Sequence, residues 1–219
     1  MFRHVPNILT GSRLILAIVF FSMLALYQYD GRGDPTFLNI GFVVYLVALA
    51  TDYFDGYLAR KWKVEGMFGR IVDPFVDKIL VLGSFIFFAG KNFIIPDTAQ
   101  HGASPMVVKT ITGVAPGMVV ILLARELLIT TLRGVSESSG RDFGAVMAGK
   151  FKMVIQSITI LAILVYVNYR PWLLHMEYEA PARVFRDFLI WTTVVVTVVS
   201  GVQYLRRAAA LYTEGAIKE

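Results

Sequence analysis

Four aspartates, Asp52, Asp55, Asp73 and Asp77, have the types and spacing of a divalent-metal site. They fall within Thr51–Leu80, TDYFDGYLARKWKVEGMFGRIVDPFVDKIL. Asp52 and Asp55 are three residues apart, Asp73 and Asp77 four. On helices each pair therefore shares one face, one turn apart. Two antiparallel helices joined by a short loop would bring all four carboxylates together. At the edge of hydrocarbon a single charge costs about 2.5–3.5 kcal/mol even on the mildest scale, and neighbouring carboxylates repel one another. Divalent cations offset both penalties. Oxygen-only ligands suit hard ions, two Mg²⁺ or Mn²⁺, and the stretch holds no His or Cys to suit zinc. Pairing with Arg60, Arg70 and Lys78 is the plainer alternative, but it explains neither the spacing nor the small residues beside the acids. Those are Gly56, Ala59 and Gly69, which leave room for a flat or bulky group to approach the backbone.

A second constellation is basic. It begins at Arg125, in ARELLITTLRG, with Glu126 and Arg133, and continues with Gly149, Lys150, Lys152 and Gln156. Arg125 and Arg133 are just over two helical turns apart and can face one side, with Lys150 and Lys152 opening the next helix. Cations gathered over an acidic metal site fit a negatively charged ligand, and Arg can grip a phosphate monoester through two parallel hydrogen bonds. The blander reading is that these residues set topology and snorkel to the interface.

Helices that could position both constellations are membrane spans. Of the 219 residues, 56% are hydrophobic and only 17% charged, against roughly 45–50% and about 25% for a soluble globule. The apolar residues fall in runs near the roughly 20 residues needed to cross a bilayer. Six are read: Ile8–Tyr27, Leu38–Tyr57, Ile71–Gly90, Val107–Thr131, Phe151–Tyr169 and Phe185–Leu205. Tyr29–Thr36, Lys91–Pro105 and Arg170–Arg183 are the loops on one side; Lys61–Gly69 and Gly134–Lys150 lie on the other, with both termini. The expectation is one all-α, polytopic domain over residues 1–219, with Met1–Pro6 as a short interfacial segment ahead of six transmembrane helices. Arg32, Lys91, Lys109, Arg170, Arg183 and Arg186 lie on the first side, and the other 15 of the 21 basic residues on the side of the termini. By the positive-inside rule the termini and the acidic cluster face the cytoplasm, across the inner membrane. Arg3 precedes an apolar run of spanning length without a small-residue cleavage site, so no cleaved signal peptide is expected.

The absence of cysteine excludes disulfides and thiol catalysis, and His4, His101 and His175 are too scattered for a histidine metal motif. A cation transporter would place ionisable residues near the bilayer midplane in matching halves, whereas these acids cluster at one face. A non-catalytic scaffold would leave Asp77 free to change.

The pattern Asp52-x2-Asp55-Gly56-x2-Ala59-Arg60-x8-Gly69-x3-Asp73-x3-Asp77 resembles the signature of the CDP-alcohol phosphotransferases, with all eight positions at the expected spacing. The resemblance implies that Asp52, Asp55 and Asp73 hold one metal and Asp52, Asp73 and Asp77 bear on a second. It further implies that Gly56, Ala59, Arg60 and Gly69 accommodate CDP beside Asp52 and Asp55, and that Asp77 is the general base. Arg125-Glu126, Arg133, Gly149-Lys150-x-Lys152 and the opening Pro6-Asn7-Ile8-Leu9-Thr10-x2-Arg13 resemble the bacterial phosphatidylglycerophosphate synthase branch. That implies CDP-diacylglycerol as donor and sn-glycerol 3-phosphate as acceptor, held by Arg125, Arg133, Lys150 and Lys152, with Asn7, Thr10, Arg13, Glu126 and Gln156 as further candidates. Thr130–Thr131 and Met153 depart from that branch. Inositol phosphate, serine and phosphatidylglycerol are the alternative acceptors. A homodimer among membrane lipids is implied, with no nucleic-acid partner.

Overall fold

The computed structural model describes the backbone of residues 5–29, 34–62, 67–95, 109–138 and 147–216, and the side chains of 11–29, 34–52, 75–95, 109–136, 138, 149 and 151–210. Six long helices follow one another: α1 (Val5–Leu26), α2 (Pro35–Trp62), α3 (Met67–Phe88), α4 (Pro116–Ser138), α5 (Met147–His175) and α6 (Glu179–Ala216). A single 3₁₀ turn, Lys91–Phe93, follows α3. The fold is the expected all-α one. Residues 1–4 of the proposed interfacial segment lie outside the described residues.

α1 packs on α2 and α3, α5 on α6, α2 and α3, and α4 on α6 and α3. Phe20, Tyr45, Phe85, Phe88, Phe93, Leu122, Ile160 and Leu164 fill the space between them. Ile15, Ile18, Val43, Val120, Leu127, Val154, Phe188, Trp191 and Val195 stay exposed along the outer faces of the helices. Extended apolar exposure of this kind marks a membrane surface in place of water. Among the described residues, Pro35–Asp52, Phe151–His175 and Glu179–Ala210 are long and apolar enough to cross a membrane, and Gly11–Leu26 forms a shorter apolar stretch.

Two expected boundaries are corrected. The fourth span does not begin at Val107 but at Pro116. Within the preceding apolar run, Lys109–Ala115 folds under the end of the bundle and not into a helix. Ile111 N–H donates to the Phe93 carbonyl at 2.7 Å, the Thr112 hydroxyl to the Phe88 carbonyl at 2.6 Å, and Arg186 Nη1 to the Ile111 carbonyl at 2.6 Å. Gly113 takes φ +76°, and Pro116 then opens α4, at a position whose N–H has no helical partner in any case.

The Arg170–Arg183 loop is also far shorter than read. α5 continues through Pro171 to His175, and Glu177 at φ 61° turns the chain into α6. A membrane helix tolerates an internal proline because neighbours satisfy the freed carbonyl. Keeping Arg170 on the helix lets it bond the Tyr29 hydroxyl and lie 3.6 Å from Glu179. At the start of α2, Asp34 accepts from the Thr36 hydroxyl (2.7 Å) and its backbone N–H (2.9 Å). Those bonds hold the Asp34 carboxyl below its ordinary pKa.

A Cβ at Gly113 would stand 2.9 Å from Asp187 Oδ1 and 3.0 Å from Arg186 Nε, on backbone already left-handed. Gly113→Ala is therefore expected to lower stability by about 1–3 kcal/mol. A fall in the thermal midpoint of the detergent-purified protein checks it; an unchanged midpoint would mean the turn adapts.

Candidate active site

α1, α2 and α3 bring Arg13, Asp52 and Asp77 to one point. Arg13 Nη1 donates to Asp52 Oδ1 at 2.6 Å and to Asp77 Oδ1 at 2.9 Å. The guanidinium is 3% exposed, while the carboxylates keep about a third of their surface open, at 35% and 27%. One nitrogen shared by acids from two helices marks a place where carboxylate oxygens converge on a cation. The donors are oxygens, each carboxylate carries a second one, and the spot is partly open. These features fit a hard divalent ion. Arg13, read from the sequence only as part of an opening pattern, is the residue that ties the acidic pair together.

Other expected residues lie outside the described side chains. Asp55, Gly56, Ala59 and Arg60 are on α2, Gly69 and Asp73 on α3, Asn7 and Thr10 on α1, and Lys150 on α5. Among the described residues no group of three metal-ligating side chains occurs.

The basic constellation assembles where α3, α4, α5 and α6 meet. Arg125 Nη1 donates to Glu126 Oε1 at 2.7 Å, and Lys152 Nζ donates to the same oxygen. All three residues are buried. Lys152 thus points inward; it does not snorkel. Arg125 Nε also donates to Ser200 Oγ at 3.2 Å, and its guanidinium lies 5.4 Å from the Tyr204 ring centroid. Gly201 eases this approach of α6: a Cβ there would meet Arg125 Cγ at 3.3 Å, tight enough that the arginine would have to shift slightly.

A cavity of about 300 Å³ opens between these helices, lined by Asp77, Lys78, Arg125, Glu126, Arg133, Gly149, Lys152, Met153, Gln156 and Tyr204 among others. Gln156 is 2% exposed, and its Nε2 has no hydrogen-bond partner among the described residues. Arg133 is exposed at the rim, two turns from Arg125 as its spacing requires. A small crevice lined by Arg13, Asp52, Asp77 and Met153 adjoins the cavity, and Asp77 and Met153 line both. Asp77 therefore stands between an acid pair suited to metal and a pocket suited to an anion.

Tyr204, Ser200 and Gly201 were not selected from the sequence, and Lys78 was named there only as a possible partner of the aspartates; the structure has it donate to Thr130 Oγ1. The α6 residues carry no signal in the sequence, since nothing linear ties them to Arg125.

A model of the CDP-alcohol phosphatidyltransferase family matches residues 3–199. A Bacillus subtilis protein named CDP-diacylglycerol–glycerol-3-phosphate 3-phosphatidyltransferase is 30% identical over 211 residues, covering 93% of this chain and 94% of the relative. A Haemophilus influenzae protein of the same name is 30% identical over 208 residues, covering 94% and 93%. A Mycobacterium tuberculosis protein named probable phosphatidylglycerophosphate synthase is 29% identical over 206 residues, covering 94% and 81%.

Proposed function

The chain belongs to the CDP-alcohol phosphatidyltransferase family, and from that premise we propose that it transfers a phosphatidyl group from CDP-diacylglycerol to sn-glycerol 3-phosphate. The products are phosphatidylglycerophosphate and CMP. The observation that carries this reading is the position of Asp77, which faces the Asp52–Arg13 pair on one side and a cation-lined cavity on the other. An acceptor with an anionic tail and a reacting hydroxyl fits that arrangement: cations hold the tail while the hydroxyl meets a carboxylate.

Asp77 accepts the proton of the acceptor hydroxyl, and the oxygen attacks the β-phosphorus of the donor. The bond from that phosphorus to the bridging oxygen breaks, and CMP leaves with the electron pair. Attack is direct, so no phosphatidylated enzyme forms. Asp52, Asp55, Asp73 and Asp77 are the residues that would hold two Mg²⁺ or Mn²⁺. Bound divalent cations supply charge neutralisation at the diphosphate and the leaving group. Gly56, Ala59, Arg60 and Gly69 are assigned to the CDP moiety; Arg125, Arg133, Lys150 and Lys152 to the acceptor phosphate. Glu126 orients Arg125 and Lys152. The excess of basic residues on the side of the termini supports a site facing the cytoplasm across the inner membrane.

The test offers purified enzyme CDP-diacylglycerol with glycerol 3-phosphate, inositol phosphate, serine or phosphatidylglycerol in turn, with Mg²⁺ or Mn²⁺. CMP is expected with glycerol 3-phosphate, and neither without an acceptor nor after chelation. CMP release with serine but not glycerol 3-phosphate would overturn the assignment.

A further inference from the structure

The four described cations around the cavity are not equally committed. Arg125 and Lys152 both bond Glu126. Lys78 and Arg133 have no carboxylate partner among the described residues. Arg133 already belongs to the acceptor set, but Lys78 does not. Its ammonium crosses from α3 to α4 and donates to Thr130 Oγ1 at 2.7 Å. Thr130 is a neutral partner, and its own hydroxyl proton is committed to the Glu126 carbonyl at 2.7 Å. An ammonium has three donors, so two remain for a ligand. Lys78 and Lys152 both line the cavity, and a bound anion would offset two like charges placed around one space.

Chain order adds a constraint. Lys78 is the residue after Asp77, and both line the cavity. An anion bound at Lys78 inside this cavity would share it with the proposed general base. A short polyol phosphate brings both an anion and a free hydroxyl to such a space.

We propose that Lys78 binds the phosphate of the acceptor and makes the enzyme select phosphorylated over neutral alcohols. This rests on the reading given under Proposed function. A phosphate at Lys78 could also come from the diphosphate of the donor, so the experiment separates the two sources.

Steady-state KM and kcat for glycerol 3-phosphate and for CDP-diacylglycerol would be measured on the full chain bearing Lys78→Met, Lys78→Arg or Thr130→Val. Loss of a charge-assisted bond predicts a roughly tenfold to hundredfold rise in KM for glycerol 3-phosphate in Lys78→Met. KM for the donor should stay near wild type, and Lys78→Arg should recover much of the loss. Thr130→Val should change KM far less, because it leaves the ammonium in place. A rise confined to the donor's KM would assign Lys78 to the donor and overturn the proposal. Equal effects of Lys78→Met and Thr130→Val would also overturn it, reducing the lysine to a tie between α3 and α4. If Lys78→Met does not accumulate, Lys78→Gln carries the same readout. Should wild-type enzyme prefer another acceptor, the functional assignment fails first. The Lys78 proposal then stands if KM for that acceptor rises and it carries a phosphate, and falls if it is a neutral alcohol.

Discussion

Asp77→Asn is expected to lower kcat by about 10²–10⁴-fold, the usual contribution of a positioned general base, while leaving the helices folded. The amide keeps the volume and polarity of the side chain but cannot take a proton from an alcohol. Folding should survive because Arg13 keeps Asp52 as its partner at 2.6 Å, and because a partly exposed ion pair contributes little stability. Loss of one carboxylate from an acidic cluster also removes repulsion. CMP release at saturating substrates, with a thermal midpoint measured alongside, checks the expectation. Excess Mn²⁺ separates the two roles proposed for Asp77. A residue that only ligates metal would be compensated by more metal, whereas a missing base would leave kcat low at every concentration. Turnover equal to wild type would remove Asp77 from the chemistry altogether.

Much of this arrangement is legible in the sequence because the helices carry their own periodicity. Carboxylates at three- and four-residue spacing must share a face, and Arg125 and Arg133 must lie on one side of α4. What the sequence does not encode locally is which faces meet. Arg13 precedes Asp52 by 39 residues and Asp77 by 64, and only the packing of α1 against α2 and α3 brings it to both. Lys78 reads in the sequence as a possible partner of the aspartates until α4 is seen to pass beside it with Thr130. The Arg125–Ser200 bond spans 75 residues and is eased by a glycine next to Ser200 on α6.

Boundaries were misread for a related reason. The run from Val107 is apolar enough for a span, yet its Thr110, Thr112 and Gly113 form a turn held by backbone groups at and just after the end of α3. Pro171 signals a break to sequence reasoning, but a helix packed within a bundle can carry it. In both cases tertiary contacts outweigh local preference, as they do for many helix ends.

The largest effect on stability should come from Glu126. Its carboxylate sits on two buried cations, and Glu126→Ala would leave Lys152 with no acid and Arg125 with one bond fewer. Breaking a buried ion pair by removing one partner costs about 3–5 kcal/mol, mostly because the surviving charge stays desolvated. The two cations do not suffer equally. Arg125 retains Ser200 Oγ and the Tyr204 ring, whereas Glu126 is the only hydrogen-bond or ion-pair partner of Lys152 among the described residues. Most of the penalty should therefore trace to Lys152, and the double variant Glu126→Gln, Lys152→Met should regain much of the lost stability. It should not regain affinity for glycerol 3-phosphate, since a cation assigned above to the acceptor phosphate has gone. Thermal midpoints and acceptor KM values for the single and double variants would then move apart. If instead the double variant stays as unstable as Glu126→Ala, the stranded charge is not the cause and the buried triad does not hold α4 to α5.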